Sequence, residues 1–103
     1  MKQFTITAGC EYDKDMNPLG ITDLDPVKKM LLKNFGGYTI LPSYGGWLDG
    51  NDNLVEEQGV VFVVCYQEFK VTGAEIEAAA RSIRDYLKQH SVVLNNDGAV
   101  LFI

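Results

Sequence analysis

The spacing of apolar residues along the chain predicts strands of two kinds. Phe4, Ile6 and Ala8 alternate with threonines, which is the period of two of a strand with one buried face. The longest apolar run, Val60 to Cys65, has apolar residues at consecutive positions, and this predicts a strand covered on both faces. No segment approaches the ~20 apolar residues that a membrane-spanning helix requires, so no membrane association is expected.

Two other segments carry apolar residues at helical spacing between start and stop signals. Asp25 is predicted as an N-cap with Pro26 at the first helical position, and Gly36-Gly37 ends this helix. Thr72 and Glu75 predict a capping box at the start of the second helix. The buried face of the second helix is predicted to consist of Ile76, Ala79, Ala80, Ile83 and Leu87.

The remaining apolar segments are strand-sized and are separated by residues typical of turns. A second strand is expected over Tyr38 to Pro42, with a kink or bulge at Ser43 to Gly46 before it resumes at Trp47. The last segments, Val92 to Leu94 and Ala99 to Ile103, form either a terminal hairpin or one strand with a bulge. Between the second strand and these segments, a turn is expected over 49–53, followed by the third strand over 54–66.

The order strand, helix, strand, strand, helix, strand predicts one α+β domain over residues 1–103. We expect a ferredoxin-like sandwich, in which an antiparallel sheet of four or five strands has both helices on one face. The first and third strands are then neighbours at the centre of the sheet. We expect these two strands to run parallel, which would bring Cys10 and Cys65 close together, as buried thiols in the favoured interpretation and as a redox pair in the alternative.

The net charge bears on the class of binding partner, and the N-terminal segment bears on the cellular compartment. Fourteen acidic residues against nine basic ones give a formal net charge of −5. Nucleic-acid binding depends on Lys and Arg neutralising phosphates, so a nucleic-acid partner is disfavoured. The first residues have no apolar run of signal-peptide length, which predicts a cytoplasmic protein with reduced thiols.

Short motifs in the second half of the chain resemble a known family. They are Phe35 to Leu41, the Gly-Trp-Leu-Asp-Gly segment at Gly46 to Gly50, Leu54 to Glu57, and Ser91 to Leu94. Together they resemble a family of small bacterial proteins that is catalogued only as a domain of unknown function. The resemblance implies a similar α+β fold, and it implies no activity and no catalytic residues.

The sequence contains no complete catalytic or metal-binding motif. His90 is the only histidine, so any Ser-His-Asp or Cys-His arrangement would have to use it, and its place at a predicted helix C-terminus favours a helix-dipole role. The turn after Trp47 starts like a calcium loop, but Leu54 and Val60 stand where Gly and Glu are required. We therefore predict no catalytic residue, no metal and no cofactor.

The residues that remain as binding candidates lie in a Gly-rich aromatic segment and the turn beyond it. Exposed Tyr and Trp side chains often anchor interfaces, and glycines allow a partner to approach closely. The alternative is that Trp47 caps the core. The candidate binding residues are Tyr38, Tyr44, Trp47, Asp49 and Asp52.

A neighbouring pair of carboxylates, Glu56 and Glu57, is expected to point to opposite faces of the third strand. The two are therefore not predicted to act as an acid and base pair. We interpret them as edge-strand charges that prevent aggregation.

The sequence thus favours a small acidic binding protein without enzymatic activity, which contacts a protein or a small ligand through this surface. Its size and acidity also suit an inhibitor of a host system, encoded by a phage or a mobile element. One alternative is a ferredoxin-like homodimer that is an enzyme or ligand-binding protein, with Tyr12, Tyr66, Glu68 and His90 converging on a pocket on the sheet. Another alternative is a structural or assembly subunit.

Overall fold

The computed structural model describes residues 1–9, 11–12, 18–19 and 23–103. Nine elements follow one another along this described part of the chain. They are β1 (Lys2–Gly9), β2 (Glu11–Tyr12), β3 (Pro18–Leu19), α1 (Asp25–Phe35), β4 (Thr39–Leu48), β5 (Leu54–Tyr66), α2 (Gly73–Tyr86), β6 (Val93–Asn96) and β7 (Ala99–Phe102).

The main sheet has five strands in the order β4-β5-β1-β6-β7, and every neighbouring pair is antiparallel. Strands β2 and β3 form a separate antiparallel pair. Both helices contribute to one core on the same face of the main sheet. The predicted α+β sandwich of ferredoxin-like topology is confirmed, with β7 as a fifth strand at one edge.

The central pair of strands, β1 and β5, runs antiparallel, so the assumption of parallel strands was wrong. Cys65 lies opposite Gln3, whereas Gly9 at the other end of β1 lies opposite Gly59. The Cys65 thiol is free and exposed. Cys10 lies outside the described residues, so the proposed pairing with Cys65 stays a prediction.

The core lies between the central strands and the two helices. Phe4 and Ile6 of β1 face Val64 and Phe62 of β5, and these four side chains are fully buried. The Phe4 ring also packs edge-on against Phe35 of α1, with ring centroids 5.0 Å apart. Each such side chain contributes about 1.5–3 kcal/mol when it leaves water, so this patch supplies a large share of the stability.

The long apolar strand β5 is covered on one face only, which corrects the expectation of burial on both. Val60, Phe62 and Val64 are buried beneath the helices, whereas Val61 and Val63 are half-buried. The difference arises because both helices pack on the same face. The other face of the sheet, which carries Thr5, Thr7, Val61, Val63 and Val93, is called the open face below.

Helix α1 begins one residue away from the prediction. Its N-cap is Leu24, and Asp25 is the first helical residue, with its backbone N–H donating to Asp23 Oδ1 at 2.8 Å. The side chain of Asp23, rather than that of Asp25, therefore satisfies a free amide of the first turn. Gly36 ends the helix with φ of 88°, as glycine does after many helices.

Helix α2 begins at its predicted cap. Thr72 Oγ1 accepts the backbone N–H of Glu75 at 3.2 Å, and its hydroxyl donates to Glu75 Oε1 at the same distance. The predicted apolar stripe from Ile76 to Leu87 is buried. Neither helix in the described chain is long and apolar enough to cross a membrane.

Strand β4 contains no bulge, so that prediction was wrong. Its pairing with β5 runs without interruption from Thr39 opposite Val63 to Leu48 opposite Leu54. Room for this close pairing comes from Gly59 on β5, because a Cβ there would lie 2.6 Å from Ser43 Oγ. The facing strand supplies the glycine that the pairing needs, and the glycines of β4 serve as ordinary strand residues.

The C-terminal segments form the predicted hairpin and not a single bulged strand. Asp97 and Gly98 have φ of 53° and 92°, which is the left-handed pair of a two-residue turn. Gly98 donates its N–H to Asn95 Oδ1 at 3.0 Å. This turn adds β7 to the sheet beside β6.

We predict that Gly59→Ala destabilises the protein by about 1–3 kcal/mol, because the new methyl group would lie 2.5 Å from the carbonyl oxygen of Ala8. Urea denaturation followed by circular dichroism measures the change. Gly45→Ala is the matched control, since a Cβ at Gly45 meets nothing within 4 Å. An unchanged urea midpoint for Gly59→Ala would show that the strands separate at no cost.

Candidate functional site

A cavity of about 670 Å³ opens at the end of the sheet where Gly9 ends β1. Its walls come from the β4–β5 hairpin, from the segment Gln89–Ser91 after α2, and from Phe102 of β7. This volume lies within the range of about 300–1,000 Å³ that small-molecule sites usually have. The cavity is therefore the strongest candidate for a ligand site in the described chain.

The segment after α2 reaches the cavity because of the way the helix ends. Lys88 takes φ of 55°, and its N–H donates to the carbonyl of Asp85 at 3.2 Å. The next N–H, of Gln89, donates to the carbonyl of Arg84 at 3.0 Å. These two bonds define a Schellman turn, which redirects the chain sharply at the helix end. Gln89–Ser91 consequently passes over the end of the sheet.

Glycine at the end of β1 allows two polar side chains to meet at the cavity. A Cβ at Gly9 would lie 2.7 Å from Gln89 Oε1 and 3.4 Å from Glu57 Oε2. The amide of Gln89 is held in place because Nε2 donates to the carbonyl of Leu87 at 3.2 Å. Gly9 thus leaves space for an amide oxygen and a carboxylate oxygen on the same side of the cavity.

Exposed aromatic rings line the rest of the cavity. The side chains of Trp47 and Phe102 are 53% and 77% exposed, although large apolar groups are usually covered. Aromatic faces of this kind stack on planar heterocycles and attract organic cations. Together with the nearby carboxylate of Glu57, they are suited to a ligand that has both properties.

Tyr44 also lines the cavity, and its hydroxyl is held by a neighbour on β5. The phenol O–H donates to Glu56 Oε2 at 2.5 Å. This hydrogen bond to a carboxylate raises the pKa of Tyr44, since it stabilises the protonated phenol. Because side chains alternate along a strand, Tyr44 and Glu56 share the face of the hairpin opposite to the one that carries Glu57.

The two adjacent carboxylates of β5 have separate surroundings. Glu56 is bonded to Tyr44, whereas Glu57 is on the open face and lines the cavity. The interpretation of both as edge-strand charges stays a prediction, since the described pairing of β5 with β1 ends at Gly59 and Glu56 and Glu57 pair with β4 alone. Glu57 is a candidate functional residue that the sequence did not reveal.

The turn at the tip of the hairpin uses one of the predicted binding residues for its own structure. Asp49 Oδ1 accepts the N–H groups of Asn51 and Asn53 at 2.8 and 3.0 Å. These two bonds, that from Asn53 first, lower the pKa of Asp49. Asp52 takes φ of 60° in the same turn. The Asp49 carboxylate acts here as an internal support of the turn.

The five predicted binding residues do not form one group. Tyr44 and Trp47 lie together at the cavity, and Asp49 and Asp52 lie at the hairpin tip. Tyr38 is half-buried and packs against the core. The binding role of all five stays a prediction.

The four polar residues expected to converge on an enzyme pocket do not all meet in the described structure. His90 lines the cavity, but Tyr66 and Glu68 belong to the opposite end of the sheet. There Tyr66 donates to Asn96 Oδ1 at 2.8 Å, and Glu68 pairs with Lys2 at 3.2 Å. The side chain of Tyr12 lies outside the described part of the chain.

The residues that sequence reasoning missed are Thr7, Glu57, Gln89, Ser91 and Phe102. They come from four separate elements and loops, so no local spacing connects them. The usable signal was Gly9 and Gly59, two glycines inside strand patterns, which mark close approach of other groups. Among the described residues, no three or more His, Cys, Asp or Glu side chains are grouped as metal ligands.

This arrangement defines a class: a ferredoxin-like α+β sandwich with a ligand-sized cavity at one end of its sheet. Solved structures of a phage SAM lyase have a similar fold. The complex with S-methyl-5′-thioadenosine matches with a TM-score of 0.69 at 18% identity, over 99% of this chain and 88% of that chain. The apo state matches with a TM-score of 0.64 at 17% identity, over 99% of this chain and 87% of that chain.

Comparison with protein-family models and with curated proteins gives no match. The resemblance to a domain family of unknown function therefore stays a prediction. The expectation of a non-enzymatic binding protein or inhibitor is contradicted by the structural comparison, since both similar structures are of an enzyme. The sequence misled because the cavity residues are dispersed along the chain and contain no recognisable catalytic motif.

We predict that the hairpin tip loosens in acid at a pH below 3.8, the ordinary value for an aspartate. The pKa of Asp49 is lower when folded, so its hydrogen bonds stabilise the tip fully above the unfolded value. That contribution is lost as pH falls through the lowered pKa. The amide NMR shifts of Asn51 and Asn53 should follow this transition. Asp49→Ala should abolish it, and a midpoint above 3.8 would contradict the assignment.

Proposed function

We propose that this chain is a phage enzyme of the SAM lyase type, which binds S-adenosylmethionine in the cavity and releases S-methyl-5′-thioadenosine. The observation that carries the proposal is the cavity itself, with exposed aromatic faces and a carboxylate in one ligand-sized space. The similar phage SAM lyase, solved with S-methyl-5′-thioadenosine, supports this choice of ligand.

The lining of the cavity offers complementary groups for each part of such a ligand. The ring of Trp47 or Phe102 can stack on a purine, which is a planar heterocycle. Gln89 and Ser91 offer amide and hydroxyl groups that pair with ribose hydroxyls. The carboxylate of Glu57 suits the positive charge of a sulfonium. These groups reach the cavity from the hairpin, the loop after α2 and β7.

The proposed cleavage breaks the bond between the sulfonium sulfur and the adjacent carbon of the methionine chain. The electron pair of that bond stays on sulfur, which becomes a neutral thioether. The carbon fragment is completed either by attack of its own carboxylate, which closes a lactone, or by loss of a proton to a base, which forms a double bond. In the second route only, we propose Glu57, which lines the cavity, as the base that accepts this proton.

The contribution of the protein to either route is mainly positional. Holding the flexible methionine chain in a reactive conformation lowers the barrier, because the entropy of alignment is lost on binding and not during the reaction. Anchored groups such as the Gln89 amide, bonded to the carbonyl of Leu87, keep that geometry fixed. The two four-carbon products have the same formula, and proton NMR distinguishes them because only the unsaturated acid has vinyl protons.

We predict that purified protein converts S-adenosylmethionine to S-methyl-5′-thioadenosine, detected by chromatography with mass spectrometry. Trp47 is the only tryptophan, so intrinsic fluorescence reports directly on occupancy of the cavity. Trp47→Ala should weaken the binding of S-methyl-5′-thioadenosine by about tenfold in calorimetry, through loss of stacking.

Phe69→Ala is the matched control, because this aromatic side chain is 98% exposed in the segment after β5, at the far end of the sheet. It should bind as the wild type does. If wild-type protein leaves S-adenosylmethionine intact and neither nucleoside changes Trp47 fluorescence at millimolar concentration, the proposed function is wrong.

A further inference from the structure

We infer that Glu57 makes the cavity selective for ligand charge, so that a cation at the sulfur position binds more tightly than a neutral thioether of the same shape. This inference rests on the proposed function and extends it to the residue that distinguishes substrate from product. It concerns recognition, and it holds for either route of bond cleavage.

The surroundings of Glu57 leave its carboxylate accessible from the cavity. Its partner across the β4–β5 pair is Gly45, which has no side chain to cover it. On the β1 side, Glu57 Oε2 lies 3.4 Å from where a Cβ of Gly9 would be. Glycines on both neighbouring strands therefore flank this carboxylate, and a ligand can approach it directly.

The charge of Glu57 has no protein partner among the described residues. The four ion pairs of the described chain join other residues, and no Lys or Arg lines the cavity. The neighbouring carboxylate of Glu56 differs, because it accepts the Tyr44 hydroxyl. A negative charge that no described Lys or Arg compensates attracts a cation more strongly in a concave site than on a flat surface.

The aromatic lining acts in the same direction. Trp47 and Phe102 present rings whose faces carry partial negative charge, and these attract an organic cation that lies over them. A neutral thioether keeps the stacking of its purine and loses both electrostatic contributions. Conversion of the sulfonium to a thioether would then weaken the hold on the product and favour its release.

The test compares two ligands that are not cleaved at this position. In sinefungin a protonated amine replaces the sulfonium, and S-adenosylhomocysteine has a neutral sulfur. We expect wild-type protein to bind sinefungin on the order of tenfold more tightly in calorimetry. Glu57→Gln should remove this difference while leaving the affinity for S-adenosylhomocysteine unchanged.

Salt and a charge-matched variant separate electrostatics from structure. The preference for sinefungin should shrink as salt rises from about 0.02 M to about 0.5 M, since screening weakens the attraction. Glu77→Gln is the matched control, because it removes one negative charge from the first half of α2, outside the cavity lining. It should retain the wild-type preference.

The outcomes distinguish this inference from the proposed function. If both nucleosides bind and Glu57→Gln weakens them equally or not at all, charge selectivity is wrong while the proposed function stands. If neither nucleoside binds, the proposed function is wrong. In that case trimethylsulfonium is titrated against Trp47 fluorescence. Quenching in the wild type that is lost in Glu57→Gln would support a cation site at Glu57. No quenching, or equal quenching in both proteins, would show that the inferred cation site is wrong.

Discussion

The pairing of β1 with β5 is the contact on which the rest of the structure depends. It sets Phe4 against Val64 and Ile6 against Phe62, and both helices pack on these side chains. A shift of one residue would move every core side chain of the strand to the open face. The same register brings Gly9 opposite Gly59 at the end of the pair, where the strands need glycine to approach closely. The same β1–β5 pairing therefore forms the core along its length and one wall of the cavity where it ends.

The cavity follows from this register together with two local features. The hairpin continues past Gly59 without a bulge, so the end of the sheet extends beyond the core. The Schellman turn at Lys88 then directs Gln89–Ser91 over that extension. Neither the hairpin extension nor the Schellman turn by itself creates a group that could bind a ligand. Combined, they bring an amide and a carboxylate together at a position where side-chain atoms are missing from Gly9.

Local signals were enough to predict most of the fold. The threonine cap of α2, the glycine stop of α1 and the turn at 49–53 are each specified by a few adjacent residues, and each lies where the sequence placed it. The site was harder, because Glu57 and Gln89 come together only through tertiary structure. Its residue type alone marked Trp47 as a binding candidate, and the sequence could not show which residues share the cavity with it. The candidate site therefore has no local motif by which the sequence could reveal it.

The division between a buried core and an exposed extension has a consequence for how such a chain can diverge. Core positions need only stay apolar and of similar volume for the fold to persist. Apart from Gly9 and Gly59, which need the absence of a side chain, the residues around the cavity are mostly outside that core and can be exchanged at little cost in stability. A shared topology at 18% identity is compatible with this separation. Substitutions at the end of the sheet can therefore change ligand preference without disturbing the packing at its centre.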